Sequence, residues 1–271
     1  MKIFGLIGEK LSHSFSPAIH HYIYQRLGIE ASYHLFEVQP HLLPAAIEGI
    51  RALNINGVNV TIPYKIQSMA GLDKISSEAQ EIGAVNTILH HEGTLTGYNT
   101  DYFGFQRTLS HYHISPKHRA LVLGNGGVAR TVVSALTQSG VSEVLMLVRD
   151  PQKAASFHPK VSRILSYEQV AETGHCDLLV NCTPVGMYPH TEAAPLDKNL
   201  LSQFDQVLDL IYNPTATLLM REAAQLGIPA YNGLYMLVAQ AAAAIELWND
   251  CSVSDAILLD TYHQLQQQFQ K

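Results

Sequence analysis

The sequence predicts an α/β fold in two domains, and three observations carry that prediction. Short apolar runs alternate with helix-like stretches along most of the chain. Two short strands that read as a hairpin close the first hundred residues. A fresh strand–helix alternation then begins near Arg119, at the spacing a doubly wound, mostly parallel sheet requires. At 271 residues the chain is long for one domain and comfortable for two.

In order along the chain, "KIFGLIG" reads as a strand and "SPAIHHYIYQRLG" as a helix, with Ser16 as N-cap, Pro17 in its first turn and Gly28 as its stop. "SYHLFEV" is the next strand, "LLPAAIEGIRAL" a second helix, and "GVNVTI" a third strand rich in β-branched residues. Pro63 ends that strand because it has no N–H to give. Lys65 stands two residues beyond the stop. A solvated charge at a loop edge would explain it, and so would a proton-transfer group at a strand mouth, where α/β folds hold their ligands. "AVNTIL" and "TLTGY" follow as the hairpin, with His90, His91, Glu92 and Gly93 as its turn.

In the second series, "RALVLG" and "EVLMLV" are strands around the helix "GVARTVVSALTQSG", whose Val128, Val132, Ala135 and Leu136 share a face and whose stop is Gly140. "DLLVN" and "QVLDLIY" are further strands, the latter leading through Asn213-Pro214 into the helix "TATLLMREAAQLG". "MLVAQAAAAIELW" is apolar nearly all round and so is expected to be buried. Ser252 to Asp255 resembles a capping box opening the last helix.

The bulk composition narrows the function. A hydrophobic fraction of 47% and a charged fraction of 15% describe a chain with ample core. The formal charge of −6 is dispersed, with no basic run, which argues against nucleic acid or an anionic membrane as partner. The apolar start "MKIFGLIGEK" is too short for a signal peptide, and no stretch approaches the roughly 20 apolar residues of a membrane span. Cys176, Cys182 and Cys251 form no disulfide framework, so free thiols in the cytoplasm are expected. The 14 histidines show no zinc-binding spacing, and no metal is expected.

"LVLGNGGVAR" is the most informative local motif. The turn Gly124-Asn125-Gly126-Gly127-Val128-Ala129 follows a strand and opens a helix. In a Rossmann-type sheet the first glycine permits the tight turn and the second lets backbone approach a pyrophosphate, while the helix N-terminus offers free N–H groups to the phosphates. Ala129 takes the place of the third, close-packing glycine. At the end of the second strand, Arg149 and Lys153 favour the 2′-phosphate of NADP, whereas Asp150 would favour the ribose hydroxyls of NAD. NADP is the first expectation, and NAD the alternative.

The motifs "GLIGEKLSHSFSPAIH", "GVNVTIPYK", "GAVNTI", "GYNTDYFGF", "LGNGGVAR", "VNCTPVGM", "LDLIYNP" and "NGLYMLVAQAA", in this order, resemble the shikimate dehydrogenase family over nearly the whole chain. The resemblance implies reversible NADPH-dependent reduction of 3-dehydroshikimate to shikimate, on the route to aromatic amino acids. It implies that Ser14 and Ser16 take the substrate carboxylate and that Thr61, Asn86 and Gln240 contact ring hydroxyls, with Tyr212 as a further contact. Capping alone would also explain Ser16, and a buried amide satisfied by backbone would also explain Gln240. It makes Lys65 the proton-transfer group and Asp101 its acidic partner, a pair that would titrate as a coupled unit. Thr183, in the turn "TPVGM", Leu210 and Gly233 would line the cofactor. The implied domains are residues 1–103 for substrate and 104–234 for NADP, with 235–271 as C-terminal helices packing back on the first domain. A homodimer is compatible with the family.

The chain departs from the family pattern at Val148-Arg149-Asp150, where Asn-Arg-Thr is usual, at Tyr235, where glycine is usual, and at Glu9-Lys10, where Asn-Pro is common. A quinate/shikimate enzyme using NAD or both cofactors is the nearest rival reading. An NADP-binding sensor module without turnover is a rival of another class, against which the presence of both Lys65 and Asp101 argues.

Overall fold

The computed structural model describes residues 1–12, 14–154, 157 and 159–268. The first unit opens β1 (Lys2–Gly8), α1 (Ser16–Leu27), β2 (Ala31–Glu37), α2 (Leu43–Ala52) and β3 (Gly57–Val60). It continues through β4 (Lys74–Ile75), α3 (Ser77–Ile82), the hairpin β5 (Thr87–His91) and β6 (Thr94–Tyr98), and α4 (Thr100–His111). The strands form one sheet in the order β2-β1-β3-β5-β6-β4. β1 runs parallel to β2 and β3, and the hairpin is added antiparallel to β3.

Several local expectations are corrected here. Ser16 is the first residue of α1, not its N-cap; Phe15 holds the cap position, and the Ser16 N–H donates to the Ser14 hydroxyl at 3.3 Å. The hairpin turn is Glu92-Gly93, with φ of 50° and 79°, so His90 and His91 belong to β5. Two left-handed residues match the twist of the flanking strands, which is why so short a turn suffices. β3 ends at Val60, before Pro63 is reached. Its end is set by a turn in which the Tyr64 N–H donates to the Thr61 carbonyl at 2.9 Å. β4 is two residues long, too short to announce itself by periodicity.

The second unit contains β7 (Arg119–Leu123), α5 (Gly127–Gln138), β8 (Glu143–Val148), α6 (Pro151–Ala154), β9 (Arg163–Ser166), β10 (Cys176–Asn181), β11 (Phe204–Asp209), α7 (Leu218–Gln225) and β12 (Ala230–Asn232). Its strands pair in parallel in the order β12-β11-β10-β7-β8-β9. This is the doubly wound order of a Rossmann sheet, with the topological switch between β7 and β10. Central strands covered on both faces need continuous apolar sequence. Leu121, Leu123, Leu145, Leu147, Leu179 and Val207 supply it in the core. β9 and β12 are the two edges, short and only partly buried, and give no such signal.

α8 (Leu234–Asn249) and α9 (Asp255–Gln268) complete the chain. The C-terminal helices return to the first sheet. The Trp248 indole N–H donates to the Ile88 carbonyl at 3.0 Å, and its ring stacks on Phe4 at 4.6 Å. On α9, Asp260 accepts from Tyr22 at 2.7 Å and pairs with Arg26 at 2.6 Å. The helix is opened by Ser254, whose hydroxyl accepts the Ile257 N–H at 3.4 Å, rather than by a Ser252–Asp255 box. By compactness the described residues form two units, 1–104 with 238–265, and 105–237 with 266–268. The divisions therefore fall inside α4, α8 and α9. Among the described residues, no helix is long and apolar enough to cross a membrane.

Candidate active site

In the first unit, the turn after β3 and the start of α4 bring Lys65 and Asp101 together. The Lys65 Nζ lies 2.5 Å from Asp101 Oδ2, with the two side chains only 15% and 11% exposed. The backbone carbonyl of Lys65 accepts the Val85 N–H at 2.8 Å, fixing the turn to the segment that carries Asn86. Asp101 sits in the first turn of α4, where a carboxylate is favoured by the helix dipole. An ammonium and a carboxylate so close, and largely screened from water, form a mostly buried ion pair.

Asn86 is buried beside them. Its Oδ1 accepts the Thr100 N–H at 2.6 Å and the Thr87 hydroxyl at 3.0 Å. Its Nδ2 has no partner among the described residues, leaving two amide N–H donors open to a ligand oxygen. Thr61 is half-buried just beyond β3, and its N–H donates to the Ile7 carbonyl. Ser14 and Ser16 lie at the entry to α1. Gln240, on α8, is brought to α4 by close packing: a Cβ added at Gly104 would lie 2.9 Å from that of Gln240. Gly104 is one helical turn beyond Asp101, so the two share a helix face. Of the expected substrate contacts, Tyr212 alone falls in the second unit, after β11, where burial raises its phenol pKa.

Sequence reasoning missed Asn59 and Tyr33. Asn59, almost fully buried in β3, donates from Nδ2 to the Thr87 hydroxyl at 2.9 Å and to the Asn86 carbonyl at 3.3 Å. Its Oδ1 accepts the Tyr33 hydroxyl at 2.8 Å. Burial raises the Tyr33 pKa well above its ordinary value, which keeps it a donor. An amide between Val58 and Val60, in a strand buried throughout, was the available signal.

The second unit holds the glycine-rich turn. Gly124 follows β7 with φ of +92°, and an added Cβ would meet the Thr183 methyl at 2.9 Å. Asn125 and Gly126 are exposed, and a Cβ at Gly126 would meet nothing within 4 Å. Gly126 caps the twelve-residue α5 without a side-chain hydrogen bond, so no cap side chain competes for the amides of Gly127 and Val128, while the Ala129 N–H donates to the Gly126 carbonyl at 3.1 Å. That is the space and the polarity a pyrophosphate needs, at the switch point of the sheet. Across adjacent strand ends, Leu123 is in register with Asn181, Asn181 with Asp209 and Asp209 with Asn232. Thr183 follows β10, Leu210 follows β11 and Gly233 precedes α8. A Cβ at Gly233 would stand 2.1 Å from the Leu210 carbonyl oxygen.

The family model of the shikimate dehydrogenase substrate binding domain matches residues 6–88. The shikimate dehydrogenase (NADP(+)) of Clostridium beijerinckii is 40% identical over 270 residues, covering 99% of this chain and 100% of that protein. The chain belongs to the shikimate dehydrogenase family. Two solved members of it share the fold closely. A chorismate mutase/shikimate 5-dehydrogenase fusion protein from Clostridium acetobutylicum superposes with a TM-score of 0.96 at 40% identity, covering 100% of this chain and 99% of that one. Shikimate 5-dehydrogenase from Thermus thermophilus in complex with NADP(H) and shikimate gives a TM-score of 0.88 at 36% identity, covering 97% and 99%.

The departures of this family member from the usual pattern have local structural outcomes. Asp150 is turned toward the start of α6. Its Oδ1 accepts the Lys153 N–H at 3.2 Å and its Oδ2 pairs with Lys153 Nζ at 3.1 Å. The carboxylate is thereby occupied, while Arg149 is exposed and has no ion-pair partner among the described residues. Tyr235 stacks face to face on His111 at 3.8 Å and 2°. It fills space rather than bending the backbone.

Proposed function

We propose that this chain catalyses the reversible NADPH-dependent reduction of 3-dehydroshikimate to shikimate. The observation that carries the proposal is the Lys65–Asp101 pair, preformed at 2.5 Å and mostly withdrawn from solvent. Bound NADPH supplies the hydride for the ketone carbon. The chain's own task is the proton. Lys65 donates it to the nascent alkoxide oxygen and draws a replacement from solvent; in the oxidative direction the amine accepts it from the alcohol. Asp101 holds the ammonium in place and accepts a hydrogen bond from a ring hydroxyl. Ser14 and Ser16 bind the carboxylate, Thr61, Asn86 and Gln240 the ring hydroxyls, and Tyr212 adds a further contact. Asn59 orients Asn86.

On the cofactor side, the Gly124–Ala129 turn fits a pyrophosphate because the cradle is open at Gly126 and the start of α5 lacks a side-chain cap. Arg149 and Lys153 take the 2′-phosphate, and Thr183, Leu210 and Gly233 line the nicotinamide end. The turning of the Asp150 carboxylate toward the start of α6, where it accepts the Lys153 N–H, supports NADP over NAD. Replacing Arg149 with alanine is expected to reduce the NADP+/NAD+ preference in kcat/KM roughly tenfold, the size of one charge-assisted contact. Asp150→Ala is expected to change it less than about twofold. A larger effect from Asp150 than from Arg149 would reverse these roles. The reading includes a cytoplasmic location, in keeping with three free cysteines, and a homodimer that sedimentation would test.

The direct test follows reduced-cofactor absorbance with shikimate and NADP+, with NAD+ and quinate in parallel. Turnover confined to shikimate with NADP+ is the expected result. Equal turnover with quinate or NAD+ would move the chain to a broader quinate/shikimate activity. Cofactor binding without turnover would leave a sensor.

A further inference from the structure

β10 and β11 are apolar strands that each end on a fully buried polar residue, Asn181 and Asp209. Buried polar groups must be hydrogen-bonded, so the partners of this pair show what it is for. Asp209 Oδ1 accepts from Asn181 Nδ2 at 3.0 Å and from the Ile211 N–H at 3.1 Å, and Oδ2 accepts the Thr217 hydroxyl at 2.7 Å. With its Nδ2 directed to Asp209, Asn181 presents Oδ1 to Thr183, accepting its N–H at 3.0 Å and its hydroxyl at 2.7 Å. Thr183 in turn closes its own turn, its hydroxyl accepting the Val185 N–H at 3.3 Å, and its methyl faces Gly124. Thr217 caps α7 by accepting the Met220 N–H.

One carboxylate thus ties together the loop after β10, the loop after β11 and the start of α7, all within the second unit. Neither Asn181 nor Asp209 is exposed, so neither can touch a ligand.

We infer that Asp209 is a positioning residue for the dinucleotide, acting through Asn181 to hold Thr183 against the Gly124 turn. The inference rests on the dinucleotide reading of that turn. A charge as such is not required: what Asn181 and Ile211 need is an acceptor oxygen. Asparagine at 209 can keep that oxygen in place and lose only the favourable contact with Thr217, whereas alanine leaves the Asn181 Nδ2 only its long contact with the Val185 carbonyl at 3.5 Å.

The test measures NADP+ dissociation constants by titration calorimetry, together with KM values for NADP+ and shikimate, in the wild-type enzyme and in Asp209→Ala, Asp209→Asn, Thr183→Val and the Asp209→Ala/Thr183→Val double variant. Asp209→Ala and Thr183→Val are each expected to weaken NADP+ binding about tenfold, with KM for shikimate within about twofold of wild type. Asp209→Asn is expected within about threefold of wild type, and the double variant no weaker than either single by more than about twofold, because both break one chain of contacts. NADP+ binding unchanged in Asp209→Ala would overturn the inference, and so would a multiplied loss of about a hundredfold in the double variant. Should Asp209→Ala not fold, Asn181→Ser takes its place in the cycle with the same expected loss, and unchanged binding there overturns the inference equally. A wild-type enzyme that does not bind NADP+ would instead sink the dinucleotide reading itself.

Discussion

Replacing Lys65 with alanine is expected to lower kcat about a thousandfold while leaving the affinity for NADP+ unchanged. The magnitude is that of a lost general acid–base group, for which about 10² to 10⁴ is typical. The split between chemistry and cofactor binding follows from where the residues sit. Lys65 and Asp101 lie in the first unit, and the Gly124 turn lies in the second. The substitution also strips a mostly buried carboxylate of its partner. Such an unpaired charge destabilises by roughly 3 kcal/mol or more. The single variant should therefore melt earlier than wild type, and Lys65→Ala/Asp101→Asn should recover part of the loss without recovering turnover. Stopped-flow or steady-state assays beside thermal melts separate the two effects. Near-normal kcat in a folded Lys65→Ala enzyme would remove the lysine from the chemistry.

Gly233→Ala is expected to be the most damaging single-methyl change in the cofactor unit. Its Cβ would stand 2.1 Å from the carbonyl oxygen of Leu210. Neither side can yield cheaply. The Leu210 N–H donates to the Asn181 carbonyl at 3.0 Å, and the Gly233 N–H donates to the Ile211 carbonyl at 3.1 Å. The clash is with backbone, so rotamer changes give no relief. Overpacking of this kind costs about 3 kcal/mol, equivalent to a melting temperature roughly 6 to 10 °C lower. Weaker NADP+ binding should accompany it, since the strand end carrying Leu210 must move. A melting temperature within about a degree of wild type would show that the segment between β12 and α8 is softer than its hydrogen bonds imply. Gly126→Ala, with nothing within 4 Å of the added carbon, is the matched control for packing.

How far the sequence reached depended on how each feature is encoded. The doubly wound sheet was legible because β7, β8, β10 and β11 are continuous apolar runs, and because glycines follow β7 where a turn with positive φ is needed. The edges were not legible. β4, β9 and β12 are short, gain little from burial, and form because a neighbouring strand offers hydrogen-bonding groups. The cap of α1 was misassigned because Ser14 and Ser16 carry the same hydroxyl, and only the backbone path decides which one faces the helix start. Lys65 and Asp101 were found through family resemblance, since they are 36 residues apart and share no local pattern. Asn59, Asn181 and Asp209 were visible as polar residues in or at the ends of apolar strands. Their partners were not, because cross-strand register is a property of the folded sheet.

The return of α8 to the first sheet has a consequence for how the protein is made. Trp248 covers Gly57, stacks on Phe4 and reaches a carbonyl 160 residues earlier in the chain. The N-terminal hundred residues leave the ribosome first, yet their apolar surface stays uncovered until α8 and α9 have been translated. Most of the second unit, residues 105–237, is contiguous in the chain. The first unit is thus discontinuous in the chain, and its sheet gains its Trp248 cover only once α8 is present.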